Sequence, residues 1–370
     1  MSVGTIIRES EKEKILIEYD NVCLNHNISS LDKENFHSLI NGLYQVTGTM
    51  GAYFPKDNSL SVKFYFTIAQ SYSSEALNVL LNLQKVLNIG KVKLEFNSKD
   101  QAHLRYIVSN TKYVIFKVLP YFSLLYGQKD RDRFILLRIY VLGLEIAAFL
   151  KKGAKPKDIK VSEFVQLIYS ISPEGKNRKL CLYKKLELFN CKSVSYNDNL
   201  LVRENNNLPS ELFIIGLILG DGSFGFVFEA SHYISSKSCT KIVFNFAAQG
   251  NTDNNILLLN LVAEKMNLKP QIYKTKSGMI RLEYTGETVL KIIMPFLKEY
   301  EDLLFWRRKS FVNAKRILAI FKINGHLTKN GLKAIINLLY DMPNKYCKPK
   351  AFWLDIIEKR FLLLKSNKGL

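Results

Sequence analysis

The chain is 370 residues long, 47% hydrophobic and 23% charged, a composition that builds packed domains and excludes disorder over most of its length. At about 150 residues per domain, that length allows two or three of them. Lys and Arg number 53 against 33 Asp and Glu, a net charge of +20 that exceeds what solubility requires and points to a polyanionic partner, nucleic acid ahead of an anionic membrane surface.

Residues 1–35 read as an N-terminal extension. Glu9, Glu11, Lys12, Glu13 and Lys14 interrupt any apolar core of signal-peptide length, and the acids argue against a transit peptide. Phe36–Phe54 (FHSLINGLYQVTGTMGAYF) is an apolar helix-like run with Gly42 inside it, closed by a Gly-rich turn. Ser61–Ile68 then alternates, with Phe64, Phe66 and Ile68 opposed to Lys63, Tyr65 and Thr67, and FTIAQ ends at Gln70. An amphipathic helix pattern follows over Ala76–Leu87, and a second alternation over Lys91–Phe96 sets Lys91 and Lys93 against Val92, Leu94 and Phe96. LPYF carries Pro120, and Phe134–Leu150 reads as a buried helix rather than a membrane span because Arg138 and Glu145 lie within it.

Residues 151–209, with KKGAKPK, PEGKNRK and NDNLLVRENNNLP, have the turn formers and charges of a connector. The same landmarks then return in the same order. Glu211–Phe228 (ELFIIGLILGDGSFGFVF) matches the first signature run, FNFAAQ ends at Gln249, Ile256–Met266 is amphipathic, and MPFL carries Pro295. Gly42 and Gly216 stand 174 residues apart, Gln70 and Gln249 179, Pro120 and Pro295 175. An internal duplication therefore divides the chain into a first half, 36–150, and a second, 210–340, with a helical tail over 341–370. In each half helices must cover one face of a sheet, leaving the other for phosphates and base edges. Lys63, Tyr65, Lys91, Lys93, Arg105, Lys241, Asn245, Lys274, Lys276 and Arg281 are the candidates for that contact. For any one strand a solvated lysine face is the plainer explanation; four such faces in a +20 chain favour nucleic acid.

Five cysteines without a CxxC pair and five scattered histidines without HExxH leave no readable zinc cage and make a His-based hydrolase unexpected. The chemistry-bearing motif is Ser210–Ser223. Leu212–Leu219 is apolar all round, so its helix should be buried on every side, and Gly216 within it suits a close backbone approach. Asp221 falls at the helix C-terminus, where the macrodipole is negative and an acid is misplaced for stability. It is either the ordinary Asp-Gly turn or a ligand for a hard divalent cation such as Mg²⁺.

The duplicated GLILGDGSF and GLYQVTGTMG resemble the signature helices of the LAGLIDADG homing endonucleases, intron-encoded proteins of organelles whose relatives include RNA maturases. The resemblance runs from about Phe36 to Leu339 and implies an α+β monomer. In it, two αββαββα halves pack through the signature helices, and their antiparallel sheets form a saddle on double-stranded DNA. It implies metal-dependent cleavage of a long DNA site. The alternative is a non-cleaving maturase acting on its own group I intron RNA. By the same resemblance Asp221 is the metal-binding acid, Gln70 and Gln249 line the pocket, and Lys112 is the pocket lysine. Thr47 stands where the first motif's acid would be and Glu287 opposite Lys112, so asymmetric, nicking or lost cleavage is the expectation. Abundant Phe, Tyr, Asn, Lys and Ile, residues of AT-rich codons, fit a mitochondrial gene product ahead of a chloroplast one.

Overall fold

The computed structural model describes residues 9–24, 32–55, 59–153, 158–171, 180–191, 205–228, 240–248, 253–276, 278–342 and 348–366. The chain divides into two compact units, Met1–Gly220 with Asn251–Lys265, and Asp221–Gly250 with Met266–Leu370.

In the first unit α1 (Glu9–Leu24) is followed by α2 (Lys33–Thr47), whose first turn is capped by Asp32 accepting from the Asn35 amide at 2.8 Å. Then come β1 (Gly48–Tyr53), β2 (Lys63–Ser71), α3 (Ser74–Leu87), β3 (Lys91–Phe96) and β4 (Ala102–Val108). Ser73 caps α3 and Asn88, at φ 51, ends it in the left-handed conformation that Asn tolerates. The sheet is antiparallel in the order β1-β2-β4-β3. Its inward row, Met50, Ala52, Phe64, Phe66, Ile68, Leu104, Tyr106 and Val108, is buried, so the two-residue period read in the sequence is the period of burial. The extension α1 binds this unit: the Tyr19 hydroxyl donates to the Val92 carbonyl at 3.0 Å on the edge strand.

After β4, α4 (Thr111–Tyr113) and α5 (Leu119–Tyr121) flank a π-turn, Val114–Val118, ahead of the long α6 (Gly127–Lys151). Helix α6 buries Ile135, Leu136, Ile139, Leu142 and Ile146 but exposes Val141, Leu144 and Leu150, so the expected buried helix is buried on one face only. No helix among the described residues is long and apolar enough to cross a membrane.

The segment read as a connector contributes α7 (Asp158–Ile171) and α8 (Leu182–Leu188), and α7 packs against α6 and β1. Lys185, 1% exposed, has its ammonium 4.2 Å from the centre of the Phe54 ring and 3.4 Å from the Ser59 carbonyl. Where described, the connector segment has helices of its own and packs into the first unit's core.

The second signature helix, α9 (Glu211–Asp221), is buried from Phe213 to Leu219, as its all-round apolar sequence requires. It crosses α2 at glycines. A Cβ on Gly42 would lie 1.9 Å from the Phe213 carbonyl oxygen, and one on Gly216 2.0 Å from that of Leu39. Helix α10 (Asp253–Lys265) completes this unit.

The second unit holds β5 (Gly222–Phe228), β6 (Thr240–Ala248), β7 (Ile272–Lys274) and β8 (Ile280–Thr285), in the antiparallel order β5-β6-β8-β7 that repeats the first sheet. A second π-turn, Val289–Ile293, leads into α11 (Met294–Glu299) at the same spacing from Pro295 as the first has from Pro120. A proline inside a helix removes one i→i−4 bond, and a widened turn accommodates that loss in both halves. A 3₁₀ turn, Glu301–Arg307, then α12 (Arg308–Lys322), α13 (Lys329–Tyr340) and α14 (Lys350–Ser366) finish the chain.

Candidate active site and nucleic-acid interface

The first sheet's outer face carries the side chains expected of it. Register places Lys63 opposite Tyr53, Tyr65 opposite Gly51, and Lys93 opposite Arg105, all on the face away from Phe64 and Phe66. Lys63, Lys91, Lys93 and Arg105 are exposed and Tyr65 is half-buried. The Tyr53 and Tyr65 rings lie 6.1 Å apart, and Arg105 pairs with Glu95 at 3.3 Å.

The second sheet departs from expectation at one strand. Arg281 is on the outer face, since Ile280, Leu282 and Tyr284 are buried, and its cross-strand partner is Tyr273. Lys274 pairs with Ile280 and so stands, exposed, on the helix-covered side of the edge strand. A one-residue difference in register exchanges the faces. Lys276 lies in the β7–β8 turn, closed by the Thr275 amide donating to the Met279 carbonyl at 2.8 Å. The backbone of β6 pairs Asn245 with Glu283 and Lys241 with Val227; the side chains of Lys241 and Asn245, and the whole of Gln249, lie outside the described residues.

At the end of α2, two amides one helical turn apart shape the site. The Asn41 Nδ2 donates to the Tyr121 carbonyl at 3.3 Å and its Oδ1 accepts from the Leu124 amide at 3.2 Å. Gln45 binds both backbone groups of Tyr126, donating to the carbonyl at 3.0 Å and accepting from the amide at 3.1 Å. These bonds hold the loop before α6, so that Lys129 in its first turn donates to the Gly48 carbonyl at 2.5 Å, its ammonium 5.6 Å from the centre of the Tyr44 ring. Gly48 is required there because a Cβ would stand 1.9 Å from that ring. Burial lowers the Lys129 pKa, and the Asp132 carboxylate opposes the shift. Burial pushes Asp132 itself up to about 6, against the pull of Gln128, Lys129 and Arg131. Burial, with Asp132 and Tyr65 adding, holds the Tyr44 phenol well above its usual range.

Gln70 continues the inward row past Ile68, the cross-strand partner of Gly48, and reaches this neighbourhood buried, with an Nε2 that no protein group accepts from. Thr47 donates its hydroxyl back to the Leu43 carbonyl of its own helix at 2.8 Å. Lys112 is elsewhere: it is exposed in α4, beyond the end of β4 that points away from Gln70. Its counterpart Glu287 is also a surface residue, paired with Lys291 at 3.0 Å. The ammonium seated against the Gly48 carbonyl is that of Lys129. Lys112 lies eight residues before Pro120, and Lys129 nine residues after it.

In the second unit Asp221 is half-buried at the end of α9. Burial raises its pKa while Arg307 and Arg281 oppose the rise, and burial lowers that of Arg307 while Asp221 opposes the fall. The turn delivering Arg307 is pinned by Arg308–Asp302 at 3.1 Å and Lys315–Glu301 at 2.8 Å. It passes through Phe305 at φ 37 and ψ −119, a strained conformation for a residue with a side chain. Among the described residues no three His, Cys, Asp or Glu side chains converge on one point. A cation at Asp221 would need oxygens from backbone, water and the nucleic acid to complete its shell.

The chain is thus a duplicated αββαββα plan with a basic outer face on its first sheet and an acid at the end of a glycine-crossed helix. Its backbone is similar to that of several solved structures. The I-SmaMI LAGLIDADG homing endonuclease bound to cleaved DNA superposes with a TM-score of 0.66 at 18% identity, covering 86% of this chain and 98% of that one. I-SmaMI bound to an uncleaved DNA target in the presence of calcium ions gives 0.65 at 19%, covering 84% and 99%. The I-LtrWI LAGLIDADG homing endonuclease bound to target DNA gives 0.63 at 20%, covering 85% and 99%. No family model matches the sequence, and no curated protein matches it. The chain has the LAGLIDADG homing endonuclease fold.

Proposed function

We propose that the protein is a site-specific DNA endonuclease of the intron-homing type, a monomer that binds a long duplex through the outer faces of its sheets and hydrolyses phosphodiester bonds with a divalent cation, Mg²⁺, at Asp221. The observation that carries this reading is the first sheet's outer face, where Lys63, Tyr65, Lys91, Lys93 and Arg105 share one side of three adjacent strands. Lysine and arginine there meet phosphates, while Tyr65 and Arg105 have the reach and donors to read base edges in a major groove. The fold likeness to DNA-bound endonucleases supports the same reading.

Asp221 offers a hard oxygen beside Arg307, a donor that suits a phosphate oxygen. A divalent cation held there supplies Lewis-acid activation of water and charge neutralisation at the scissile phosphate. Arg307, kept cationic and partly desolvated, orients the phosphate; Lys129 does so in the first half from its seat on the Gly48 carbonyl. Only the second half has a carboxylate at the end of its signature helix, so its strand is cut faster. The abundance of residues with AT-rich codons, 23 Phe and 19 Tyr among them, supports an organellar gene. The direct test is incubation of the purified protein and Mg²⁺ with a library of intronless-allele DNA, scoring nicks and double-strand breaks. Failure to cut any sequence overturns the proposal.

A further inference from the structure

The outer face of the first sheet is not uniformly basic. Backbone register sets its side chains in rows across the strands. One row runs Thr49–Thr67–Ile107–Lys91, and the next runs Ala69–Arg105–Lys93. Directly opposed side chains in such rows stand about 5 Å apart. The lysines hold the margins, Lys91 and Lys93 on the edge strand β3 and Lys63 at the far end of β2, while Arg105 is drawn towards that edge by its pair with Glu95 at 3.3 Å. Thr49, Thr67, Ala69 and Ile107 lie between them. Each carries a methyl group and none carries a charge. Thr49 and Ala69 are exposed, and Thr67 and Ile107 are half-buried. Strand propensity accounts for Thr and Ile in a sheet, but not for their gathering in the middle of a face rimmed by cations.

A face built this way lays its margins on phosphates and its middle on base edges. In the major groove the methyl group that a base pair presents is that of thymine, and Ala and Thr side chains are suited to contact it. We propose that the Thr49–Thr67–Ile107 row, with Ala69, is a thymine-reading strip, so that the half-site beneath the first sheet carries thymines where the strip crosses it. The inference deepens the proposed endonuclease reading and rests on it for the duplex itself. A guanine or cytosine edge in the same place would give up water from its donors and acceptors and gain no partner from Ile107 or Ala69, so the strip also discriminates by exclusion. The row at the same register in the second sheet is Ser223–Asn245–Glu283, residues without a methyl group. Thymine selection of this kind therefore belongs to one half-site.

The test is binding of duplex DNA by the full chain in Ca²⁺. Duplexes are selected from a random library, and each thymine of the selected site is then replaced in turn by deoxyuridine, which lacks only the methyl group. At the positions beneath the strip each replacement should weaken wild-type binding about fourfold, the loss for one buried methyl. Thr67→Ser keeps the hydroxyl and should lose the sensitivity to deoxyuridine at one of these positions. Thr67→Val keeps the methyl and should retain it. Ile107→Ala, which draws its methyls back from the groove, should lose sensitivity at a neighbouring position and serves if the Thr67 variants fold poorly. Deoxyuridine without effect at every position, the reverse pattern in Thr67→Ser and Thr67→Val, or wild-type sensitivity in both Thr67→Ser and Ile107→Ala overturns the strip. If a selected site is bound and cut with Mg²⁺ yet deoxyuridine has no effect, the inference falls and the endonuclease reading stands. If deoxyuridine acts as expected and nothing is cut, the strip stands and the endonuclease reading falls. A selection that enriches no sequence removes both.

Discussion

Asp221 and Thr47 end the two signature helices, and their side chains differ in what they offer. The threonine hydroxyl donates into its own helix at 2.8 Å, whereas the aspartate is half-buried among Arg307 and Arg281. We expect Asp221→Asn to reduce cleavage roughly a hundredfold or more, as loss of a primary ligand must exceed the loss from removing its outer supports. Duplex binding without metal should be unchanged or tighter, since a carboxylate near phosphate is repulsive. Strand-resolved kinetics with Mg²⁺ and binding with Ca²⁺ separate the two effects. Thr47→Asp should speed the slower strand. Asp132 gives a stability prediction of known sign. Its folded pKa, about 6, lies above the ordinary aspartate value of 3.8, so the folded state binds its proton more tightly. Stability from this group is present below the unfolded pKa and lost as pH rises through 6. Asp132→Asn should therefore melt above wild type at pH 8, by about 2 kcal/mol at most, and the gain should vanish by about pH 4. A variant less stable at pH 8 would mean the carboxylate is net favourable in the fold.

Among the elements, α2 does the most. One of its faces meets α9 through Gly42, another buries Leu39, Ile40, Leu43 and Tyr44, and Asn41 and Gln45 hold the loop that aims Lys129. A methyl on Gly216 would meet the Leu39 backbone at 2.0 Å, and backbone cannot rotate aside. Gly216→Ala should cost about 3 kcal/mol and Gly216→Leu should prevent folding, read from thermal melts; a wild-type melt for Ala would refute the crossing. Gln45→Leu leaves both backbone groups of Tyr126 buried without partners, a loss of about 2 kcal/mol. It should also slow cleavage, because the same loop positions Lys129. Full activity with unchanged stability would show that the loop is held by other means.

For the whole molecule the charge of +20 predicts affinity that falls steeply with salt through counterion release. Lys91 and Lys93 are both outward on the first sheet, so replacing both with alanine should flatten the log–log slope by about two units if each meets one phosphate. Lys274, on the covered side of β7, should leave the slope unchanged when replaced. Equal effects from the two sites would mean that net charge rather than face controls binding.

Architecture was legible along the chain because burial is periodic. Alternation in β2 and β3, the all-apolar α9 and the repeat offset of about 175 residues are local or self-referential signals, and they mark the duplicated αββαββα plan, the glycine crossing and the outward basic rows. Asp221 was legible for the same reason, being fixed to the end of a helix its own neighbours define. The cation that comes near the end of each signature helix was not. Lys129 and Arg307 reach their places through loops of unequal length, held by Asn41 and Gln45 in one half and by Arg308–Asp302 and Lys315–Glu301 in the other. Those contacts join residues far apart along the chain or set by turn geometry, and no spacing records them. The face of Lys274 likewise depends on the strand opposite it, and the core role of Lys185 on the Phe54 ring more than a hundred residues away. A periodic pattern reports which side of an element is greasy; which distant group fills the polar space beside it is settled only when the chain closes and buried charges must find partners.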